Sequence, residues 1–168
     1  MKLTSTLLFL FVVSSLYSQK NTSNTYTDVE TIVNETQRII SIEKGQVIDT
    51  ASFRKLFLPT AHFTVVGNED GTFEHETMQL NTFLEMLTDE YYSNGYYETG
   101  TGEVIERFHG IAHVMQGFYG QDSEGTKGWG VNSYQLIFSQ GRWWIANMIW
   151  TMSEDEGEDI PKKYRKTD

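Results

Sequence analysis

No cysteine occurs among the 168 residues. That absence excludes disulfides, thiolate metal ligands and a thiol nucleophile. It also excludes the lipidated cysteine that would tether an exported bacterial protein to a membrane. Basic residues are scarce too: 13 Lys and Arg stand against 23 Asp and Glu, for a formal charge of −10. No Lys/Arg stripe of the kind that follows a phosphate backbone is present, so nucleic acid is not an expected partner. No apolar run approaches the roughly 20 residues that a membrane-spanning helix needs. The sequence also lacks a Gly-x-Ser-x-Gly elbow, a phosphate-cradling loop and a dinucleotide fingerprint. Of the four histidines, His109 and His113 are four apart but lie across a turn, so no metal-ligand spacing results. Neither a metal nor a cofactor is expected.

What is present begins with a leader. Lys2 supplies a short positive region, Leu7 to Val13 a compact apolar one, and small polar residues close it at Ser14, Ser15 and Ser18. That order is the pattern of a signal peptide over residues 1–18. Its removal takes away only Lys2, so −10 becomes −11. The expected location is therefore the periplasm or the exterior, free of a membrane anchor. Residues 19–26 read as a flexible lead-in, 27–152 as one domain and 153–168 as a charged, solvated tail. About 150 mature residues suffice for one core and not two.

Within the domain, Thr27-Asp28-Val29-Glu30 has the form of a capping box. Val29, Ile32, Val33, Ile39 and Ile40 follow at helical spacing. Asp49 or Thr50 caps a short second helix carrying Phe53, Leu56 and Phe57, which Pro59 stops. Residues 61–66 read as a strand with a turn after it at 68–71. Thr77 is the expected cap of a third helix with Leu80, Phe83, Leu84 and Leu87 on one face. A loop with Tyr91, Tyr92, Tyr96 and Tyr97 follows, either roofing a pocket or packing against the sheet. Four strands then run over 103–108, 111–119, 130–139 and 142–151. Tight turns at His109-Gly110 and Gln140-Gly141 join them in pairs. Helices first and a meandering antiparallel sheet afterwards predict an α+β domain.

Several stretches, taken in order, resemble the nuclear transport factor 2-like (SnoaL-like) superfamily, and more narrowly its small exported bacterial members. They are Ser52-Phe53-Arg54-Lys55-Leu56-Phe57 with Pro59, Asn94-Gly95-Tyr96-Tyr97-Glu98, Val104 to Phe108 running into Ile111 to Val114, Asn132 to Leu136, and Gly141 to Ile145. The resemblance implies a curved antiparallel sheet wrapped around N-terminal helices, a cone-shaped pocket, and a homodimer formed through the outer face of the sheet. It implies no single chemistry, because isomerases, cyclases, hydrolases, dehydratases and plain binding modules share that fold.

Hairpin geometry selects the candidate residues. A turn at His109-Gly110 sets Glu106 opposite His113, and cross-strand partners share a face. A carboxylate orienting a histidine is a general-base pair if it faces the pocket, and a structural pair if it does not. A turn at Gln140-Gly141 places Asn132, Tyr134, Leu136 and Phe138 on one face with Trp143, Ile145, Asn147 and Ile149. The apolar block among them assigns that face to the core, with Asn132, Tyr134 and Asn147 toward the pocket. Trp143 and His62 complete the expected ligand-binding set. Three functions follow: binding of a small apolar molecule in an aromatic-lined cone, proton-transfer catalysis by His113 with Glu106, or a dimeric interaction module with a filled core.

Overall fold

A computed structural model describes residues 26–165; the leader lies outside them. Helix α1, Val29–Ile40, is capped by Asp28, whose carboxylate accepts from the Thr31 amide. The cap thus lies one residue later than expected, and the reciprocal bond of a capping box is not formed among the described residues. Glu30 does not reach back to Thr27 but receives the Arg107 guanidinium. Val29, Ile32, Val33 and Ile39 are buried along one stripe, as the helical spacing requires. Asp49 caps α2, Thr50–Arg54, which ends before Pro59 can matter. The chain is already extended at Phe57, the start of β1, Phe57–Glu69.

Strand β2, Thr72–Gln79, replaces the front of the expected third helix. Thr77 is a strand residue whose hydroxyl lies 2.9 Å from that of Thr64. Helix α3 occupies Leu80–Met86 without a side-chain cap, and buries Leu80, Phe83 and Leu84. Asp89 caps a further turn of helix, α4, at Glu90–Ser93. Strands β3 (Tyr96–Phe108), β4 (Ile111–Asp122), β5 (Lys127–Ser139) and β6 (Arg142–Met152) complete the sheet. The expected strands are all there, and β3 starts seven residues earlier than its apolar part suggests.

The sheet order is β2-β1-β6-β5-β4-β3. Among the described residues only β1 and β6 pair in parallel. Gln140 and Gly141 both have positive φ, 54° and 77°, which is the turn whose twist matches a two-residue hairpin. The inner face and the helices enclose one core. Its centre is an aromatic stack in which Phe63 and Phe83 lie parallel with centroids 4.0 Å apart, flanked by Phe53 and Phe57.

The tail is not simply solvated. Ile160 and Tyr164 are buried, and a 3-10 turn at Lys162–Tyr164 packs on β3 and β4. Thr101 donates to the Tyr164 carbonyl at 3.1 Å. Gly117 makes this approach possible, because a Cβ there would overlap that carbonyl and lie 2.6 Å from Thr101 Oγ1. Among the described residues no helix is long and apolar enough to cross a membrane.

Candidate functional site

Two openings meet at one carboxyl. Between α1 and the edge strand β3 lies a cleft of about 910 Å³, lined by Asn34, Gln37, Arg38, Ser41, Glu98, Glu103 and Gln116 among others. Inside the cone lies a small cavity of about 90 Å³, walled by Phe53, Phe83, Tyr92, Phe118, Met148 and Trp150, with Thr36, Tyr96 and Asn132 as polar members. Glu98 lines both. A polar cleft and an apolar cavity therefore share one carboxyl.

Glu98 is held by three donors. The Tyr96 hydroxyl donates to Oε2 at 2.8 Å. Asn132 and Gln37 amides donate to Oε1 at 3.3 and 3.4 Å. Burial nevertheless pushes its carboxyl above the ordinary carboxylate range, because desolvation of the charge outweighs those bonds. Burial and the Glu98 charge likewise raise the proton affinity of Tyr96, and push Tyr92 up to about 12. Such a cluster keeps its protons to higher pH than surface groups of the same type. Deeper in, the Tyr134 hydroxyl sits 3.2 Å from Thr36 Oγ1, which itself donates to the Val33 carbonyl at 2.7 Å. Tyr134 is therefore the donor in that contact, and its phenol is also raised, first by burial.

The expected catalytic pair forms but faces elsewhere. Glu106 and His113 are cross-strand partners as the hairpin requires. Both are exposed on the outer face of the sheet, where His113 Nε2 lies 3.0 Å from Ser133 Oγ. They cannot act on anything in the cone. His62 is likewise exposed on the outer face, between Gln79 and Asn147. Asn147 also points outward, donating to Gln135 Oε1 at 3.0 Å. Its placement corrects the alternation count: a bulge between Gln135 and Leu136 in the pairing with β6 shifts everything past Ile145 by one residue, so Met148 faces the core and Asn147 and Ile149 do not. Trp143 is buried against Phe138, centroids 5.3 Å apart, and does not line the cavity. Of the expected ligand-binding residues, Asn132 reaches the cavity wall and Tyr134 is core beside it. Alternation along the strands missed Glu98, Glu103 and Gln116, and the apolar stripe of α1 passed over Gln37. No group of acidic and imidazole residues suited to a metal occurs among the described residues.

No family model matches the sequence, and no curated protein does. Solved structures do match the fold. A nuclear transport factor 2-like protein with a cystatin-like fold from Novosphingobium aromaticivorans aligns with a TM-score of 0.57 at 8% identity, over 74% of this chain and 79% of that one. A protein of unknown function with a cystatin-like fold from Nostoc punctiforme aligns at 0.56 and 9%, over 76% and 90%. The chain has the nuclear transport factor 2-like fold. A type 2 hexachlorocyclohexane dehydrochlorinase, LinA, shares it at a TM-score of 0.56 and 13% identity, over 74% of this chain and 82% of that one. At these identities the likeness is one of fold, and the nuclear transport factor 2-like fold hosts enzymes and proteins without assigned activity alike.

Proposed function

We propose that the cleft and the cavity open into one funnel and that this protein binds a small molecule there, with a short apolar end in the cavity, the throat, and a polar body in the cleft. The observation that carries this reading is Glu98, a desolvated carboxyl shared by the two openings. Three donors offset only part of the cost of burying that carboxyl, and a donor or positive charge brought by a ligand would offset more of it. The throat volume limits the inserted end to a few heavy atoms, because even benzene needs a cavity of about 150 Å³. The reading thus narrows the expected aromatic-lined pocket: the cone is mostly filled, and the cleft supplies the room. Native mass spectrometry of protein purified from its own host is the test. A stoichiometric adduct that disappears in Glu98→Leu supports the site; an adduct unchanged by that substitution removes it.

A specific observation favours a second, compatible reading, a homodimer through the outer face. That face is apolar where a solvated sheet would be polar: Phe108, Ile111 and Ile149 are 68%, 58% and 42% exposed. Across it the register aligns Glu106, His113, Gln135, Asn147 and His62 in one polar row. A two-fold axis along β5 would set Glu106 opposite the partner's His62, His113 opposite the partner's Asn147 and Gln135 opposite itself. The flanking rows, with Ile111 and Ile137 on one side and Met115 and Ile149 on the other, would meet apolar on apolar. Self-complementarity of this kind is what an isologous interface needs.

A further inference from the structure

Several of the cleft's side-chain donors are already committed. Gln37 Nε2 donates to Glu98, and Gln116 Nε2 to both Asn34 Oδ1 and Glu103 Oε2, at 3.2 and 3.0 Å. Arg38, which also lines the cleft, is held by Glu35 through two bonds of 2.6 and 2.7 Å. These bonds fix the Gln116 amide with its nitrogen toward Asn34 and Glu103. Its Oε1 is then a buried acceptor with no partner among the described residues, on a side chain only 2% exposed. A buried acceptor left unsatisfied is unfavourable, and native proteins pair such atoms. A donor is missing, and the residue that lacks it lines the cleft.

We infer that the molecule bound in the cleft is an organic amine, presented as its ammonium. This rests on the funnel reading above and names the ligand class for it. An ammonium brings three donors and a positive charge, matching an orphaned amide oxygen on a residue of the same wall as the carboxyl groups of Glu98 and Glu103. A carboxylate ligand would bring no donor and would repel both glutamates. An alcohol brings one donor and no charge. Gly100 favours the same spot: a Cβ there would lie 3.0 Å from Gln116 Nε2 and 3.3 Å from Gln37 Oε1, so a side chain would crowd the polar wall.

The test uses three probes of one skeleton, n-butylamine, n-butanol and butyrate, each titrated into the mature protein at neutral pH. Binding is followed by two-dimensional NMR, with Glu98, Glu103 and Gln116 as reporters. The expected result is saturable shifts at these residues with butylamine, at least tenfold weaker binding of butanol, and none of butyrate. Raising the ionic strength should weaken the amine alone, since screening acts on charge. Glu103→Gln should weaken butylamine about tenfold and leave butanol unchanged. Equal binding of amine and alcohol at these residues overturns the amine inference while leaving the funnel reading intact. Preferred binding of butyrate also overturns it. If none of the three probes shifts a cleft residue, both readings fall.

Discussion

Gly117→Ala should change sign according to whether the C-terminal segment is present. In a strand interior, alanine ordinarily stabilises relative to glycine by about 0.5–1 kcal/mol, because glycine loses more backbone freedom on folding. Here the added Cβ would overlap the Tyr164 carbonyl and crowd Thr101 Oγ1 at 2.6 Å. Backbone cannot yield as a flexible side chain does, so the segment must lift. Lifting it exposes Ile160 and Tyr164, a loss of roughly 1.5–3 kcal/mol for each side chain. The released residues regain backbone freedom, but the segment docks in the parent, so lifting it costs net free energy; for a locally docked end this is roughly 1–2 kcal/mol, a fall in Tm of about 3–6 °C. The local effect should be much larger than the global one. Trypsin should cut quickly after Lys162 and Lys163 in the variant and slowly in the parent. In a chain ended at Ser153, the same substitution should raise Tm. A Gly117→Ala protein with unchanged tryptic protection and an equal Tm shift in both backgrounds would refute the packing of this segment on β4.

Glu98→Gln keeps an acceptor for Tyr96 while removing the desolvated charge. A folded-state carboxyl with raised proton affinity contributes stability that is full below the unfolded pKa and is lost as pH rises through the folded one. The difference in Tm, variant minus parent, should therefore grow from acid toward neutral pH; a difference that shrinks would show the carboxyl to be favoured in its charged form. Tyr134→Phe should cost about 1 kcal/mol in urea unfolding, the typical worth of one neutral hydrogen bond, and a loss beyond 3 kcal/mol would mean that the Thr36 contact has been misread. For the proposed dimer, sedimentation equilibrium should show that His62→Glu weakens association, by setting a second carboxylate against Glu106 of the partner, and that Glu106→Lys weakens it less. The double variant should recover association, whereas weakening without recovery would sink the two-fold arrangement. The mass of the protein recovered outside the host cytoplasm should fit cleavage after Ser18; a mass that includes residues 1–18 would remove the leader.

Elements with a strong period of their own were readable. The stripe Val29, Ile32, Val33 and Ile39 announced α1, and Leu80, Phe83 and Leu84 announced α3. Both tight turns, and with them the pairing of Glu106 with His113, followed from Gly at their second position. Strand β2 was not readable because nearly all of it is exposed, so it has no apolar alternation, and Thr77 at its end imitates a helix cap. The early part of β3 hid behind glycines and tyrosines that read as loop. The tail was assigned by its charges, yet Ile160 and Tyr164, two apolar residues spaced by four, are what hold it.

The identity of the inward carboxylate turned on a single residue of register. Counted by alternation along β3, Glu98 and Glu106 have the same parity and should share a face. They do not. A bulge between Gly100 and Gly102 advances the strand by one residue relative to β4, so Tyr96, Glu98 and Gly100 face inward before it, and Glu103, Ile105 and Arg107 after it. The pairings agree: Glu98 lies opposite Gly120, Glu103 opposite Gln116 and Ile105 opposite the buried Val114. Glycine at 100 and 102 is the local signal, since bulges gather where a strand lacks side chains to pack. The bulge does more than reverse a face. By switching parity it brings two glutamates five residues apart to the same side of an edge strand, next to Gln116 of β4. Were Thr101 paired regularly instead of bulged out, Glu98 and Glu103 would lie on opposite faces, and the cleft would have one carboxyl in place of two. The acidic mouth of the funnel is therefore a product of the bulge. Because Thr101 is the unpaired residue, deleting it should restore regular pairing with Glu98 and Glu103 four residues apart and still on one side; cation binding in the cleft should survive, and its loss would refute this reading of the register.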